Sequence, residues 1–186
     1  MYFKSGKINL FILISYNYKK ERKKITVNSI KLFNKENELL EYLKANNLKL
    51  TKYKYPTEEN LISNLIILIK NYLSGKEFNL YNKINDLKVD LNIKDEFSTE
   101  FALKVIDHLI SVKYGEITSY SEIGKVIGSR AYRAIGNVLK RNPFPLIIPC
   151  HRVIRKNGKV GGYMGKVNNE WQQNLKKYLL KMESKN

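Results

Sequence analysis

Apolar positions near the start of the chain follow the short period of strands. Residues 8–16 and 25–33 mix β-branched and aromatic side chains. The polar run Asn17 to Lys24 between them predicts a turn, so the two segments are expected to pair antiparallel. The period then lengthens. Asn37 to Ala45 carries Leu39, Leu40 and Leu43 at helical spacing. Thr57 to Leu73 repeats Leu61, Leu65, Leu68 or Ile69, and Tyr72 every three to four residues, with Thr57 as its expected N-cap and Gly75 just past its end. Residues 78–95 read as a strand-and-linker passage that ends in a domain boundary near residue 95. Phe97 to Val112 predicts a further helix, with Phe101, Val105, Leu109 and Val112 as its apolar stripe. His108 beside that stripe reads as an ordinary surface or core-edge histidine, and Tyr114 and Gly115 close the segment.

The pattern then gives two short helices in succession. Ser119-Tyr120-Ser121-Glu122 has the spacing of a capping box, in which Ser119 caps the helix and Glu122 reaches back. Ile123, Val126 and Ile127 supply a buried face, and Gly128 ends it. Ser129 is the expected cap of a second helix running to about Arg141. Its apolar face is Ala131, Ala134, Ile135 and Val138, and Arg133, Asn137, Lys140 and Arg141 fall on the other. Two helices across a glycine turn, the second presenting basic and amide groups, match a helix-turn-helix. Ser129 and Arg130 in the turn join the candidate contacts, and small Ala134 and Gly136 allow close approach to a nucleic-acid backbone. Helix pairs of this kind also occur in ordinary cores.

Composition strengthens the nucleic-acid reading. Among 186 residues, Lys and Arg number 34 against 17 Asp and Glu, for a net charge of +17. The excess is shared by both halves, so a basic tail is excluded and a polyanionic partner is indicated. A Lys/Asn/Ile-rich composition alone would also give a basic surface. The single cysteine, Cys150, excludes an intrachain disulfide framework and any multi-cysteine metal site. Two histidines are too few for a typical structural metal centre. The apolar run Leu10 to Ile14 is short for a signal peptide, and basic residues follow it, so a buried strand is expected there. With no membrane-length apolar stretch, a cytoplasmic protein is expected.

Chemistry concentrates after the second helix. Asn142-Pro143-Phe144-Pro145 breaks it, a short strand Leu146 to Ile148 is expected, and Pro149-Cys150-His151-Arg152 follows. A thiol is nucleophilic only as thiolate, with an ordinary pKa near about 8.5. His151, Arg152 and Arg155 would favour that form. On an extended chain, adjacent side chains point apart, so His151 would act on Cys150 through a water. A buried structural cysteine is the alternative reading of this segment. Gly158, Gly161 and Gly162 before Tyr163 suit close approach to a planar ligand, or simply a hairpin turn.

Taken in order, Gly115-Glu116-Ile117-Thr118-Ser119-Tyr120, Arg133-Ala134-Ile135-Gly136, Asn142-Pro143, Ile148-Pro149-Cys150-His151-Arg152-Val153-Ile154 and Gly161-Gly162-Tyr163 resemble the O6-alkylguanine-DNA alkyltransferases. The likeness covers about residues 97–183, and the first half matches only loosely around Tyr72 to Lys76. It implies an α+β protein of two domains. Residues 1–95 would form a scaffold with a small antiparallel sheet and helices. Residues 96–186 would form a mostly helical domain with the helix-turn-helix and the cysteine loop.

The resemblance also implies roles. The second helix would enter the minor groove of double-stranded DNA carrying an alkylated guanine. Arg133 would fill the space left by a flipped nucleotide. Tyr120 would help rotate that nucleotide and donate a proton, and Cys150 would take the alkyl group in one irreversible step. His151 would act through water as the base, supported by a C-terminal glutamate. Glu183 fits the pattern after Leu179 and Leu180, and Glu170-Trp171 offers a competing alignment. Asn142 would order the turn around the cysteine, the main chain of Cys150 and Val153 would read the guanine edge, and Leu139, Gly162, Tyr163 and Met164 would line the base pocket. Met164 stands where many members have a small residue, as does Tyr132. No cofactor or metal is implied, and a monomer is expected. The competing functions are a lesion sensor without transfer, a transcriptional regulator and a cysteine hydrolase. The intact Pro-Cys-His-Arg run weighs against the sensor. No dimerisation element is evident for a regulator, and a histidine adjacent to the nucleophile is poorly placed for hydrolysis.

Overall fold

The computed structural model describes residues 2–5, 8–50, 55–76, 78–165 and 169–184. Its chain separates into two compact units, residues 1–76 with 82–92, and residues 77–81 with 93–186. The fold is mixed α and β, as the sequence indicates.

In the first unit, β1 (Tyr2–Ser5), β2 (Ile8–Lys19) and β3 (Lys24–Phe33) form an antiparallel meander, and β4 (Val89–Leu91) adds to β3 in parallel. Ile25 and Val27 are buried, then Ile30 and Leu32. That break in the period of two coincides with a register shift in which Ser15 faces Ser29 but Tyr16 faces Val27. The extra residue, Asn28, is a bulge that returns the apolar side chains to one face. Helices α1 (Glu36–Ala45) and α2 (Pro56–Leu73) cover the sheet, with Leu43 and then Ile62, Leu65, Ile69, Tyr72 and Leu73 buried. Thr57 is not the cap of α2. Pro56 takes the first helical position, where its missing N–H costs nothing, and Tyr55 stands before it. Residues 78–95 also depart from a strand-and-linker passage. They hold α3 (Leu80–Asn85), β4 and the short α4 (Ile93–Glu96).

In the second unit, α5 (Glu100–Ser111) starts at Thr99, whose hydroxyl accepts from the Ala102 amide at 3.2 Å. Its buried stripe is Ala102, Val105, Ile106 and Leu109. Strand β5 (Thr118–Ser119) runs directly into α6 (Tyr120–Val126), and the capping box of Ser119 and Glu122 is formed on both sides. Helix α7 (Tyr132–Lys140) packs on α5 and α6. It begins at Tyr132, not at Ser129. The Ser129 hydroxyl accepts from the Ala131 amide and closes the turn before the helix. Leu146 to Ile148 is a turn, not a strand, and Leu146 has a φ of 75°. Cys150–Arg152 forms one 3-10 turn where an extended segment was expected, leading into β6 (Val153–Ile154) and later α8 (Glu170–Glu183). No helix among the described residues is long and apolar enough to cross a membrane.

Candidate active site and nucleic-acid interface

Parallel pairing of β5 with β6 sets Thr118 opposite Val153 and Ser119 opposite Ile154. Tyr120, the next residue, is thereby carried to the cysteine segment. Helix α7 reaches the same place because α6 and α7 pack unusually close. A Cβ on Gly124 would lie 2.4 Å from the Ser129 carbonyl oxygen and 2.7 Å from the Tyr132 ring. Only a glycine leaves room for that turn.

A cavity of about 600 Å³ opens between these elements. Cys150 lies on it with Tyr120, Arg133 and Gly136. Leu139, Gly162, Tyr163 and Met164 also line it, as does Lys140. Ser121, Tyr132, Arg155, Lys156 and Gly165 complete the lining, and none of these had been assigned to a pocket from sequence. Arg133, Asn137, Lys140 and Arg141 are exposed, as is Arg130 in the turn; Ala134 is partly covered. Asn142, His151, Val153 and Glu183 stand behind the cavity wall.

Asn142 organises the approach to the thiol. Its side-chain oxygen accepts from the Phe144 amide at 3.0 Å. Its Nδ2 donates to the Ile148 carbonyl at 3.0 Å and to Cys150 Sγ at 3.2 Å. One amide thus closes the Asn142 to Cys150 turn and solvates the sulfur. Burial pushes the Cys150 thiol above its usual range, and the Asn142 bond and the Lys176 charge oppose that push.

The neighbouring charges are arranged differently from the expected positive cluster. His151 is fully buried, and its pKa is lowered by burial against the pull of Glu183. Burial thus favours its neutral form. Its Nε2 lies 3.1 Å from Glu183 Oε1, and a carboxylate can only accept, so Nε2 carries the proton and Nδ1 the lone pair. Arg152 does not face the thiol. Its Nε and Nη2 donate to the two Glu183 oxygens at 2.9 and 2.8 Å, and its Nη1 donates to the Val112 carbonyl at 2.6 Å. Burial alone would raise the Glu183 pKa, but the His151 and Arg152 bonds overturn it and hold the carboxyl well below the usual range. Between the two glutamates, the structure brings Glu183 to the site, whereas Glu170 is exposed at the start of α8.

Lys176 is the site residue that sequence reasoning missed. It is 1% exposed. Its Nζ donates to the Val153 carbonyl at 2.6 Å and to the Gly162 carbonyl at 3.2 Å, tying the cysteine segment to the Gly162-Tyr163 segment. Burial lowers its pKa to about 8, with the Cys150 sulfur opposing. The signal lay in the helical period: Gln172, Leu175, Lys176, Leu179 and Glu183 share the buried stripe of α8. The Tyr163 ring meets His151 edge-on, centroids 6.4 Å apart, and burial holds its phenol well above the usual pKa. Tyr120 is also raised, by burial and then by Cys150, with Arg155 opposing. His108 bonds to Thr118, at 3.4 Å.

Residues 100–185 match the family model described as 6-O-methylguanine DNA methyltransferase, DNA binding domain. A methylated-DNA–protein-cysteine methyltransferase of Methanothermobacter thermautotrophicus is 40% identical over 123 residues, which are 66% of this chain and 61% of that protein. Its namesake from Archaeoglobus fulgidus is 31% identical over 129 residues, 69% of this chain and 80% of that one. The chain thus spans about three fifths of the first relative and most of the second. Among solved structures, the O6-methylguanine-DNA methyltransferase of Pyrococcus kodakaraensis aligns over 98% of this chain and 96% of its own, with a TM-score of 0.61 and 23% identity. Mycobacterium tuberculosis OGT in complex with DNA aligns over 98% and 91%, with a TM-score of 0.60 and 23% identity. These two likenesses show the fold.

Proposed function

Because the chain belongs to the methylated-DNA–protein-cysteine methyltransferase family, we propose that it repairs DNA by moving the alkyl group of O6-alkylguanine, and of O4-alkylthymine, onto Cys150. The observation that carries this reading is a thiol bonded by Asn142, lining a cavity bounded by Arg133 and Tyr120, with a buried, carboxylate-held histidine beside it in the chain.

Helix α7 lies in the minor groove and Arg133 fills the stack as the damaged nucleotide turns out, since the alkylated oxygen is out of reach within a duplex. The thiol proton passes through a water to His151 Nδ1. Sulfur attacks the alkyl carbon. The S–C bond forms as the C–O6 bond breaks, and the electron pair of the broken bond goes to the guanine, which takes a proton from Tyr120. The thioether has no route to hydrolysis, so each molecule reacts once, as a monomer and without a cofactor. Glu183 and Arg152 are positioning residues, fixing the tautomer and orientation of His151. An intracellular, reducing location suits the free thiol.

The test is mass spectrometry after incubation with a duplex holding one O6-methylguanine. A gain of one methyl group on the Cys150 peptide, saturating at one per protein, is expected. Tight binding with no gain would replace this reading with lesion sensing.

A further inference from the structure

The cavity before Cys150 is lined by four cations, Arg133, Lys140, Arg155 and Lys156, and by no Asp or Glu among the described residues. Arg133 and Lys140 belong to α7 and to the nucleic-acid face already described. Arg155 and Lys156 come from a different segment, just after β6. There the chain turns back on itself. The Arg155 amide donates to the Lys159 carbonyl at 3.0 Å, and the Gly158 amide donates to the Arg155 carbonyl at 2.9 Å. The Arg155 side chain lies along Gly161, where an added Cβ would meet its Nε at 3.5 Å and its Cγ at 3.6 Å. Its stem therefore lies against the Gly161 backbone. Its guanidinium and the Tyr120 phenol border the same space, and the cation eases the ionisation of that phenol. A planar guanidinium on a cavity rim free of carboxylates is matched to a phosphate, which it can grip with two parallel N–H bonds.

We propose that Arg155, with Lys156 beside it, forms an anion subsite that takes a phosphate attached to the nucleotide whose base enters the cavity. The ligand class is a purine nucleotide carrying at least one sugar phosphate, and Arg155 is a specificity-determining residue for it. The alkylated identity of the purine rests on the alkyl-transfer reading; the phosphate preference rests on the cavity alone. The phosphate belongs either to a strand or to a free nucleotide, and the chemistry of recognition is shared.

The single thiol makes the test direct. Iodoacetamide modification of Cys150 is followed with deoxyguanosine, its 3′- and 5′-monophosphates, a guanine-centred trinucleotide and inorganic phosphate as protectants. Alkyl transfer is measured in parallel from O6-benzylguanine, its nucleoside, its monophosphates and the trinucleotide. Phosphorylated forms are expected to exceed the nucleoside by about fivefold or more in both assays, with the margin shrinking as salt rises. Arg155→Gln should abolish the margin and Arg155→Lys retain part of it, each margin being the ratio of nucleotide to nucleoside within the same variant. A margin for monophosphates identifies the free-nucleotide source, and one confined to the trinucleotide identifies the strand; either supports the subsite. Equal behaviour of nucleoside and nucleotides in the unmodified protein overturns it, whether or not the variants fold. So does a margin that survives Arg155→Gln. Absence of transfer from every benzylated compound, with phosphate-dependent protection intact, would sink alkyl transfer and leave the subsite standing.

Discussion

Glu183 and His151, separated by 32 residues in the chain, meet with Oε1 3.1 Å from Nε2, and both side chains are buried. The same carboxylate holds Arg152 through both of its oxygens. Replacing Glu183 by Gln leaves a buried guanidinium without its counter-charge and lets the imidazole turn. A loss of stability on the order of 3–5 kcal/mol is expected, together with slower alkyl transfer. Glu170→Gln should change neither. Equal melting temperatures for the two variants would remove Glu183 from its place in the site.

The same pair sets a pH dependence. The Glu183 carboxyl is depressed in the folded state, so its contribution is fully present above its unfolded pKa of about 4.3 and is lost as pH falls toward the folded value. His151 is also depressed when folded, because burial disfavours its cation. Its contribution is present above about 6.5 and declines below. Both act in one direction, so the melting temperature should fall as pH is lowered from 7, first through His151 and, below about 4.3, through Glu183 as well. Glu183→Gln should flatten the lower part of that slope, and an unchanged slope would contradict the assignment.

Asn142→Ala removes the one side-chain hydrogen bond described to Cys150 Sγ. That bond favours the thiolate, so its loss should move the midpoint of Cys150 alkylation by iodoacetamide to higher pH and slow the reaction at pH 7. An unmoved midpoint in a folded variant would mean that Asn142 serves the turn alone.

Arg133 is exposed on α7 and lines the cavity. Arg133→Ala should slow transfer from a duplex far more than transfer from free O6-benzylguanine. Equal slowing of both would argue against nucleotide flipping. Affinity for undamaged duplex should fall linearly with the logarithm of salt concentration, and a flat profile would remove the electrostatic account of binding.

Gly124→Ala places a methyl group 2.4 Å from the Ser129 carbonyl oxygen. Backbone must move to admit it, at a cost of about 1–3 kcal/mol, and duplex affinity should fall with it. Binding and melting at unaltered values would show that α6 and α7 have slack that the geometry does not suggest.

Local signals carried β2, β3, α2, α5 and the capping box of Ser119 and Glu122, because each depends on residues close together in the chain. The ends of elements were less legible. Thr57 and Ser129 have capping side chains, yet Pro56 and the turn at Arg130 decide where those helices begin. The segment from Leu146 to Cys150 is apolar enough for a strand, but Asn142 folds it into turns through contacts a period cannot report. Charge near the thiol was misplaced for the same reason. Arg152 is adjacent to His151 in sequence but turned to Glu183, while Lys176, 26 residues beyond Cys150, is the cation whose charge opposes the upward push of burial on the thiol.

Translation delivers the chain from its first residue onward, so Cys150 is joined to the chain before Lys176 and Glu183. Through that interval His151 and Arg152 lack the group that holds them, and Val153 lacks the Lys176 bond until α8 has emerged and docked. A chain halted before residue 183 therefore owns its nucleophile but lacks the carboxylate that holds His151 and Arg152.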